Sequence, residues 1–101
     1  MKVTEIRCLE RLEELNGGMD SIMSFLIEER LMDTADAKRI MSEALSSKAL
    51  YSFIHALKNS TAMHKINTVQ MIEYEWQVLP VERIKITIVT DRSSREFSYN
   101  F

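Results

Sequence analysis

The sequence predicts an α+β protein in which about four N-terminal helices pack on one face of a C-terminal three-stranded antiparallel β-meander. Helical periodicity runs through the first part of the chain, and apolar and polar residues alternate strictly in three runs between residues 72 and 101, at 72–78, 84–88 and 97–101. Because successive side chains of a strand point to opposite faces, this alternation gathers large apolar side chains on one face, which the helices should cover. The apolar positions are Ile72, Tyr74, Trp76, Val78, Ile84, Ile86, Ile88, Phe97, Tyr99 and Phe101.

Pairing the alternating residues gives an expected register for both hairpins. If Trp76 lies opposite Ile86 and Ile88 opposite Phe97, every apolar group falls on one face. The first hairpin then closes through residues 80–82, and the second through 91–94. The opposite face should be solvated or open to a polar partner. Its polar positions are Glu73, Glu75, Gln77, Lys85, Thr87, Ser98 and Asn100.

Four helices are predicted at 4–15, 20–32, 34–45 and about 48–58. Their expected N-terminal caps are Thr4, Asp20, and either Asp33 or Thr34, and the glycine pair 17–18 ends the first helix. The apolar stripes are Cys8, Leu9, Leu12 and Leu15; Met19, Ile22, Met23, Leu26 and Ile27; Ala37, Ile40, Met41, Ala44 and Leu45; and Leu50, Phe53, Ile54 and Leu57.

Length and composition predict one domain over 1–101, with the helical part at about 4–66 and the meander at about 69–101. Residues 61–71 leave two alternatives open. Met63 and Ile66 fit a short helix, whereas Val69 and Met71 fit an early first strand with a bulge before Ile72. The chain shows no signal-peptide layout, no membrane-length apolar run and one cysteine, so we expect a cytoplasmic protein with no membrane partner.

The net charge is −2 and is unevenly distributed. Residues 1–47 hold 6 Lys/Arg and 10 Asp/Glu, whereas residues 48–101 hold 7 and 5. This mild asymmetry is not the basic footprint that a nucleic-acid-binding domain usually shows.

No pattern in the sequence indicates catalysis, a cofactor or a metal. His55 and His64 lack the ligand spacing of a zinc site, and the catalytic and phosphate-binding motifs are missing. Cys8 lies on an apolar stripe, which predicts a buried structural thiol rather than a nucleophile. Glu73 and Glu75 share a strand face as a catalytic carboxylate pair could, but a solvated face is the simpler interpretation. We therefore expect no enzyme, no cofactor and no metal.

The leading functional prediction is a small intracellular regulator or inhibitor that binds another protein, of a kind common in mobile genetic elements. It depends on the missing catalytic groups, the acidic N-terminal half and the methionines, which suit core filling or, alternatively, a pliable binding groove. An unpaired edge of the sheet could add a partner's strand or form a homodimer through the last strand. The predicted contact residues are Glu73, Glu75, Gln77, Lys85, Ser98 and Asn100.

DNA binding is the alternative. Two short helices joined by a serine turn and followed by a β-hairpin resemble the layout of a winged helix-turn-helix. The fourth helix would enter the major groove, and the second hairpin turn would contact phosphate as a wing. The candidate residues are Lys48, Tyr51, Ser52, His55 and Lys58 on the helix, and Arg92 and Arg95 at the wing.

Overall fold

The computed structural model describes residues 3–15, 17–61 and 68–101. Its elements are α1 (Val3–Glu14), α2 (Gly18–Glu28), α3 (Thr34–Ser47), α4 (Leu50–Thr61), β1 (Val69–Gln77), β2 (Arg83–Thr90) and β3 (Ser94–Asn100). The strands of the described chain form an antiparallel sheet in the order β1-β2-β3. The predicted α+β layout of four helices followed by a meander is confirmed.

The core lies between the helices and the inner face of the sheet, as the alternation predicts. That inner face carries Ile72, Tyr74, Trp76, Ile84, Ile86, Ile88, Phe97 and Tyr99. The isoleucines of β2 are fully buried, and the whole predicted stripe of α4 is buried with them. Leu45 departs from its predicted stripe, since it is 40% exposed on α3. The aromatic face is thus covered, with Trp76 and Tyr99 half-buried against the core.

Both hairpins pair two residues away from the expected register, which was wrong in this respect. Tyr74, not Trp76, lies opposite Ile86, and Ile86, not Ile88, lies opposite Phe97. A shift of two residues leaves every side chain on its original face, so alternation cannot distinguish the two registers.

The connecting loops explain the shift. The first runs over 78–82 rather than 80–82, and Val78, predicted on the inner face, is 52% exposed within it. The second runs over 91–93. Thr90 sets it, because its backbone N–H donates to the carbonyl of Ser93 at 2.8 Å and its Oγ1 accepts from the backbone N–H of Ser93 at 3.1 Å. These bonds hold the end of the ladder at Thr90 and Ser93.

The helix N-termini correct two predicted caps. Helix α1 begins one residue before Thr4, so Thr4 lies inside its first turn. Gly17 caps α2 in the left-handed region at φ 82°, and Asp20 falls within the first turn of that helix. Asp33 caps α3 as predicted, with its carboxylate accepting from the backbone N–H of Asp36 at 2.8 Å.

The C-termini of α2 and α3 use left-handed residues that are not glycine. Arg30 (φ 58°) ends α2 before the predicted residue 32, and the backbone N–H of Leu31 donates to the carbonyl of Leu26 at 2.8 Å. With the Arg30 to Ile27 bond of 3.0 Å this makes a Schellman motif, which turns Leu31 into the core. Lys48 (φ 57°) similarly ends α3, beyond the predicted residue 45.

The segment that follows α4 resolves one open alternative. Helix α4 continues past the predicted end at 58, and β1 begins at Val69. The register shifts between Val69 and Met71, which confirms the bulge before Ile72. The alternative short helix with Met63 and Ile66 lies outside the described residues.

Candidate protein-binding surface

The polar side of the sheet, here called the outer face, turns away from the helices and brings together all six predicted contact residues. The register aligns them in rows across the three strands: Gln77, Arg83 and Asn100; Glu75, Lys85 and Ser98; Glu73, Thr87 and Glu96; and Met71, Val89 and Ser94. The edge-strand residues of the middle rows are exposed, and those of β2 are half-buried between them.

Side-chain contacts between neighbouring strands fix the positions of charged groups on the outer face. The guanidinium of Arg83 donates to the side-chain oxygen of Gln77 at 3.1 Å. The ammonium of Lys85 lies 3.8 Å from the carboxylate of Glu75. Carboxylates on the two edge strands therefore flank cationic side chains on the central strand, which gives the face a fixed pattern of charge.

An exposed apolar loop borders one end of the outer face. In the 78–81 loop, Val78 is 52% exposed, Leu79 77% and Val81 51%. The loop shares a cavity of about 290 Å³ with outer-face residues, and that cavity is lined by Gln77, Pro80, Val81, Arg83 and Asn100. Sequence reasoning missed this feature because it assigned Val78 to a strand; four consecutive apolar residues after a strand's last polar position were the available signal.

The base of this loop is anchored on both sides. The side-chain amide of Gln77 donates to the carbonyl of Leu79 at 2.6 Å. Glu82 forms an ion pair with Arg11 of α1, and its carbonyl accepts from the backbone N–H of Phe101 at 2.9 Å. Arg11 also lies over the ring of Phe101, 4.8 Å from its centroid. The loop therefore stands on a fixed base with its apolar side chains in solvent.

The residues predicted for DNA contact are spread along α4 and around the sheet. Tyr51 is 59% exposed and its ring stacks on that of His55, with centroids 5.9 Å apart. Lys48 and Lys58 stand at opposite ends of the helix, both exposed. The groove beside this face has a volume of about 450 Å³ and mixes acidic and basic groups. Its lining is Asp36, Arg39, Glu43, Ser47, Tyr51, Ser52, His55, Ala56, Asn59 and Ser60.

The two wing arginines lie in different surroundings. Arg92 is exposed on the turn between β2 and β3. Arg95 stands on the inner side of β3, where its guanidinium covers the rings of Phe25 and Phe97 at 5.3 Å and 5.1 Å from their centroids. Those rings meet edge to face at 5.6 Å. Arg95 thus packs on the helix layer rather than projecting from the hairpin tip.

Cys8 is fully buried, in agreement with the predicted structural thiol. Burial, and secondarily the carboxylate of Glu82, raises the pKa of this thiol to about 11, so it is protonated at neutral pH. Met19 and Met23 are buried in the core as predicted, whereas Met71 lies on the outer face. The described residues contain no cluster of three or more His, Cys, Asp or Glu side chains that could hold a metal ion.

Comparison with known proteins adds no relative. No family model, curated protein or solved structure matches the chain. Within the described ranges, no helix is long and apolar enough to cross a membrane.

Proposed function

We propose that this protein is a small, non-catalytic intracellular regulator or inhibitor that binds another protein through its outer face. The 78–81 loop serves as the apolar anchor of that contact. The observation that carries the proposal is the position of this loop, whose exposed Val78, Leu79 and Val81 border a polar sheet surface. Contiguous exposed apolar side chains rimmed by polar groups are typical of protein-interaction sites.

The geometry favours binding in two further ways. Arg83 and Lys85 of β2 are already half-buried and contact Gln77 and Glu75, so these two side chains lose little freedom when a partner docks. The mixed charges, with Glu73 and Glu75 beside Lys85, favour a partner that presents a complementary mixture rather than one sign. The apolar loop would then supply affinity, and the charged rows would supply orientation.

The variant Leu79→Asp tests the anchor, with Val3→Asp as its matched control. The two side chains are 77% and 79% exposed, but Val3 lies on α1, away from the loop. The wild-type protein is used as bait in extract of the native host, and the recovered partner is purified and titrated calorimetrically against all three proteins. Loss of an apolar anchor weakens affinity by roughly tenfold or more, so we expect this for Leu79→Asp and no change for Val3→Asp.

A second variant tests the charged rows of the same surface. Glu75→Lys places two cations side by side on the outer face without touching the loop. We expect this variant to bind the same partner more weakly, and its affinity to depend less on salt concentration. Equal affinity of the wild-type protein, Leu79→Asp and Glu75→Lys for that partner would contradict the proposal.

DNA binding remains the second proposal and has less support. Tyr51, Ser52, His55 and Lys58 do share one side of α4, and Lys48 lies just before this helix at the end of α3, but carboxylates line the adjoining groove. Their charge opposes the phosphate attraction that supplies most non-specific affinity. A gel shift with mixed duplex DNA at low salt distinguishes the two proposals. Salt-sensitive binding that is lost in the double variant Lys48→Ala, Lys58→Ala would favour DNA.

A further inference from the structure

Among the residues that the structure describes, no backbone group bonds to the outer edge of β3, which presents a regular row of outward N–H and C=O groups. The N–H of Phe101 bonds to the carbonyl of Glu82 and the N–H of Thr90 to that of Ser93, both in the register of the β2–β3 ladder. Odd-numbered residues of β3 therefore direct their N–H and C=O toward β2, because bonding direction alternates along an antiparallel strand. The even-numbered residues direct theirs away from the sheet. These outward residues are Ser94, Glu96, Ser98 and Asn100.

In the described part of the chain, this edge lacks several of the features that usually prevent pairing with another chain. Proline, lysine, an inward-pointing charge, a bulge or a covering element commonly protects an edge strand. Arg95 does point inward, but its guanidinium covers the rings of Phe25 and Phe97. Residues 94–100 include neither proline nor lysine, and the β2–β3 register runs without a shift from 83 to 100. The outward residues are also all exposed. The edge is thus a ready template for an additional antiparallel strand.

The sequence of β3 is complementary to itself in one register. Antiparallel pairing of two identical strands about Phe97 places Ser94 opposite Asn100 and Glu96 opposite Ser98 of the second copy. All outward residues then find partners. Pairing about Glu96 would set two carboxylates face to face, and pairing about Ser98 would match three of the four outward residues of β3 rather than all four. Symmetry, charge and hydrogen bonding therefore select the same register.

The inner side of β3 is compatible with this pairing. Arg95 would lie opposite Tyr99 of the second copy, so that a guanidinium meets an aromatic ring. Helix α2 lies below β3, where the hydroxyl of Tyr99 donates to the carbonyl of Gly18 at 2.9 Å. Ser21 and Ser24 of this helix are small and exposed.

We infer that two copies of this protein pair through antiparallel β3 strands centred on Phe97, which joins their sheets into one six-stranded sheet. The two outer faces become a continuous, two-fold symmetric surface. This association requires only the edge of β3 and is separate from the binding of another protein through the outer face. A self-paired edge would also close the sheet against unspecific strand addition.

Sedimentation equilibrium of the wild-type protein and of charge variants tests the pairing and its register. We expect the wild-type protein to show a monomer–dimer equilibrium. Ser98→Glu faces Glu96 of the second copy at two symmetry-related positions, so it should raise the dimer dissociation constant about tenfold. The double variant Glu96→Lys, Ser98→Glu sets opposite charges face to face and should restore dissociation to within about threefold of the wild-type value.

Ser42→Glu is the matched control, since it adds the same charge at an exposed position of α3, which packs on α4 and α2, and it should leave the dissociation constant unchanged. Circular dichroism confirms that each variant is folded, and within a subunit Ser98→Glu lies opposite Lys85, which favours the native sheet. A wild-type protein that is monomeric up to millimolar concentration would overturn the inference. A dimer that Ser98→Glu does not weaken, or that the double variant does not restore, would overturn it equally.

Discussion

The two edges of the sheet are built differently. Beside β1 runs α4, and Tyr51, His55 and Lys58 of that helix line one cavity with Glu73 and Tyr74 of the strand. A bulge also interrupts the start of β1. Beside β3 the described chain places no further strand, and its ladder is regular throughout. One edge is therefore protected by a helix and a bulge, and the other is open.

This difference determines which edge of the sheet can pair with another strand. A bulge and a packed helix disturb the regular spacing of backbone donors, which a paired strand requires. The bulge and the packed helix both occur at β1, so β3 alone has an open edge among the two edge strands described. Substitutions at the two edges should therefore differ in their effects.

The largest loss in the free energy of unfolding is expected for Phe97→Ala. Phe97 is 7% exposed, and its ring fixes β3 to the helix layer through Phe25 and under Arg95. Truncating a buried phenylalanine costs about 3–5 kcal/mol of the free energy of unfolding, which urea denaturation would measure. The exposed neighbour supplies the control, since Glu96→Ala should change the free energy of unfolding by less than about 0.5 kcal/mol. A loss below about 1 kcal/mol for Phe97→Ala would show that other contacts hold β3.

The next largest effect is a loss of stability at high pH, which arises from Cys8 and Tyr74 on the β1 side of the molecule. Burial, with Glu82 as a lesser cause, raises the pKa of Cys8 from 9.0 to about 11. Burial and the hydrogen bond to Glu5 raise that of Tyr74 from 10.0 to about 12. Because the unfolded chain releases these protons at lower pH than the folded chain, stability is full below pH 9 and falls as pH rises toward 12.

Urea denaturation between pH 8 and pH 12 would follow this loss. Tyr74→Phe removes the titrating phenol and should flatten the part of the curve above pH 10. If the slopes of Tyr74→Phe and of the wild-type protein coincide there, the environment assigned to Tyr74 is wrong.

A smaller effect is expected from removing one tyrosine hydroxyl at each edge. The Tyr74 hydroxyl donates to the Glu5 carboxylate of α1 at 2.6 Å, and that of Tyr99 donates to the Gly18 carbonyl of α2 at 2.9 Å. Each Tyr→Phe change should lower the free energy of unfolding by about 1 kcal/mol, with the larger loss at Tyr74, whose acceptor is charged. Paired thermal melts would measure the difference, and a larger loss at Tyr99 would reverse the ranking.

Much of this architecture could be predicted from residue patterns, and the misses have identifiable causes. Periodicity located the four helices and three strands of the described ranges, because each element buries one face. Alternation could not separate registers two residues apart, and the side-chain bonds of Thr90 decided between them. Left-handed helix ends at Arg30 and Lys48 escaped prediction because glycine or asparagine usually occupies such positions.

The candidate surface was only half accessible to sequence reasoning. The alternating polar residues of the sheet, such as Glu75 and Lys85, could be assigned to one face. The apolar 78–81 loop was missed because Val78 was assigned to β1, although four consecutive apolar residues follow Gln77. Contacts between distant parts of the chain, such as the ion pair of Arg11 with Glu82, carry no local signal.

Amide hydrogen exchange along β3, measured at low and high protein concentration, tests the open edge most directly. We expect the odd-numbered residues from 95 to 99 to be protected at both concentrations, because they bond to β2. The even-numbered residues from 94 to 100 should exchange rapidly in the dilute protein and become protected in the concentrated protein. Exchange of the even-numbered amides that does not depend on concentration would contradict the paired edge.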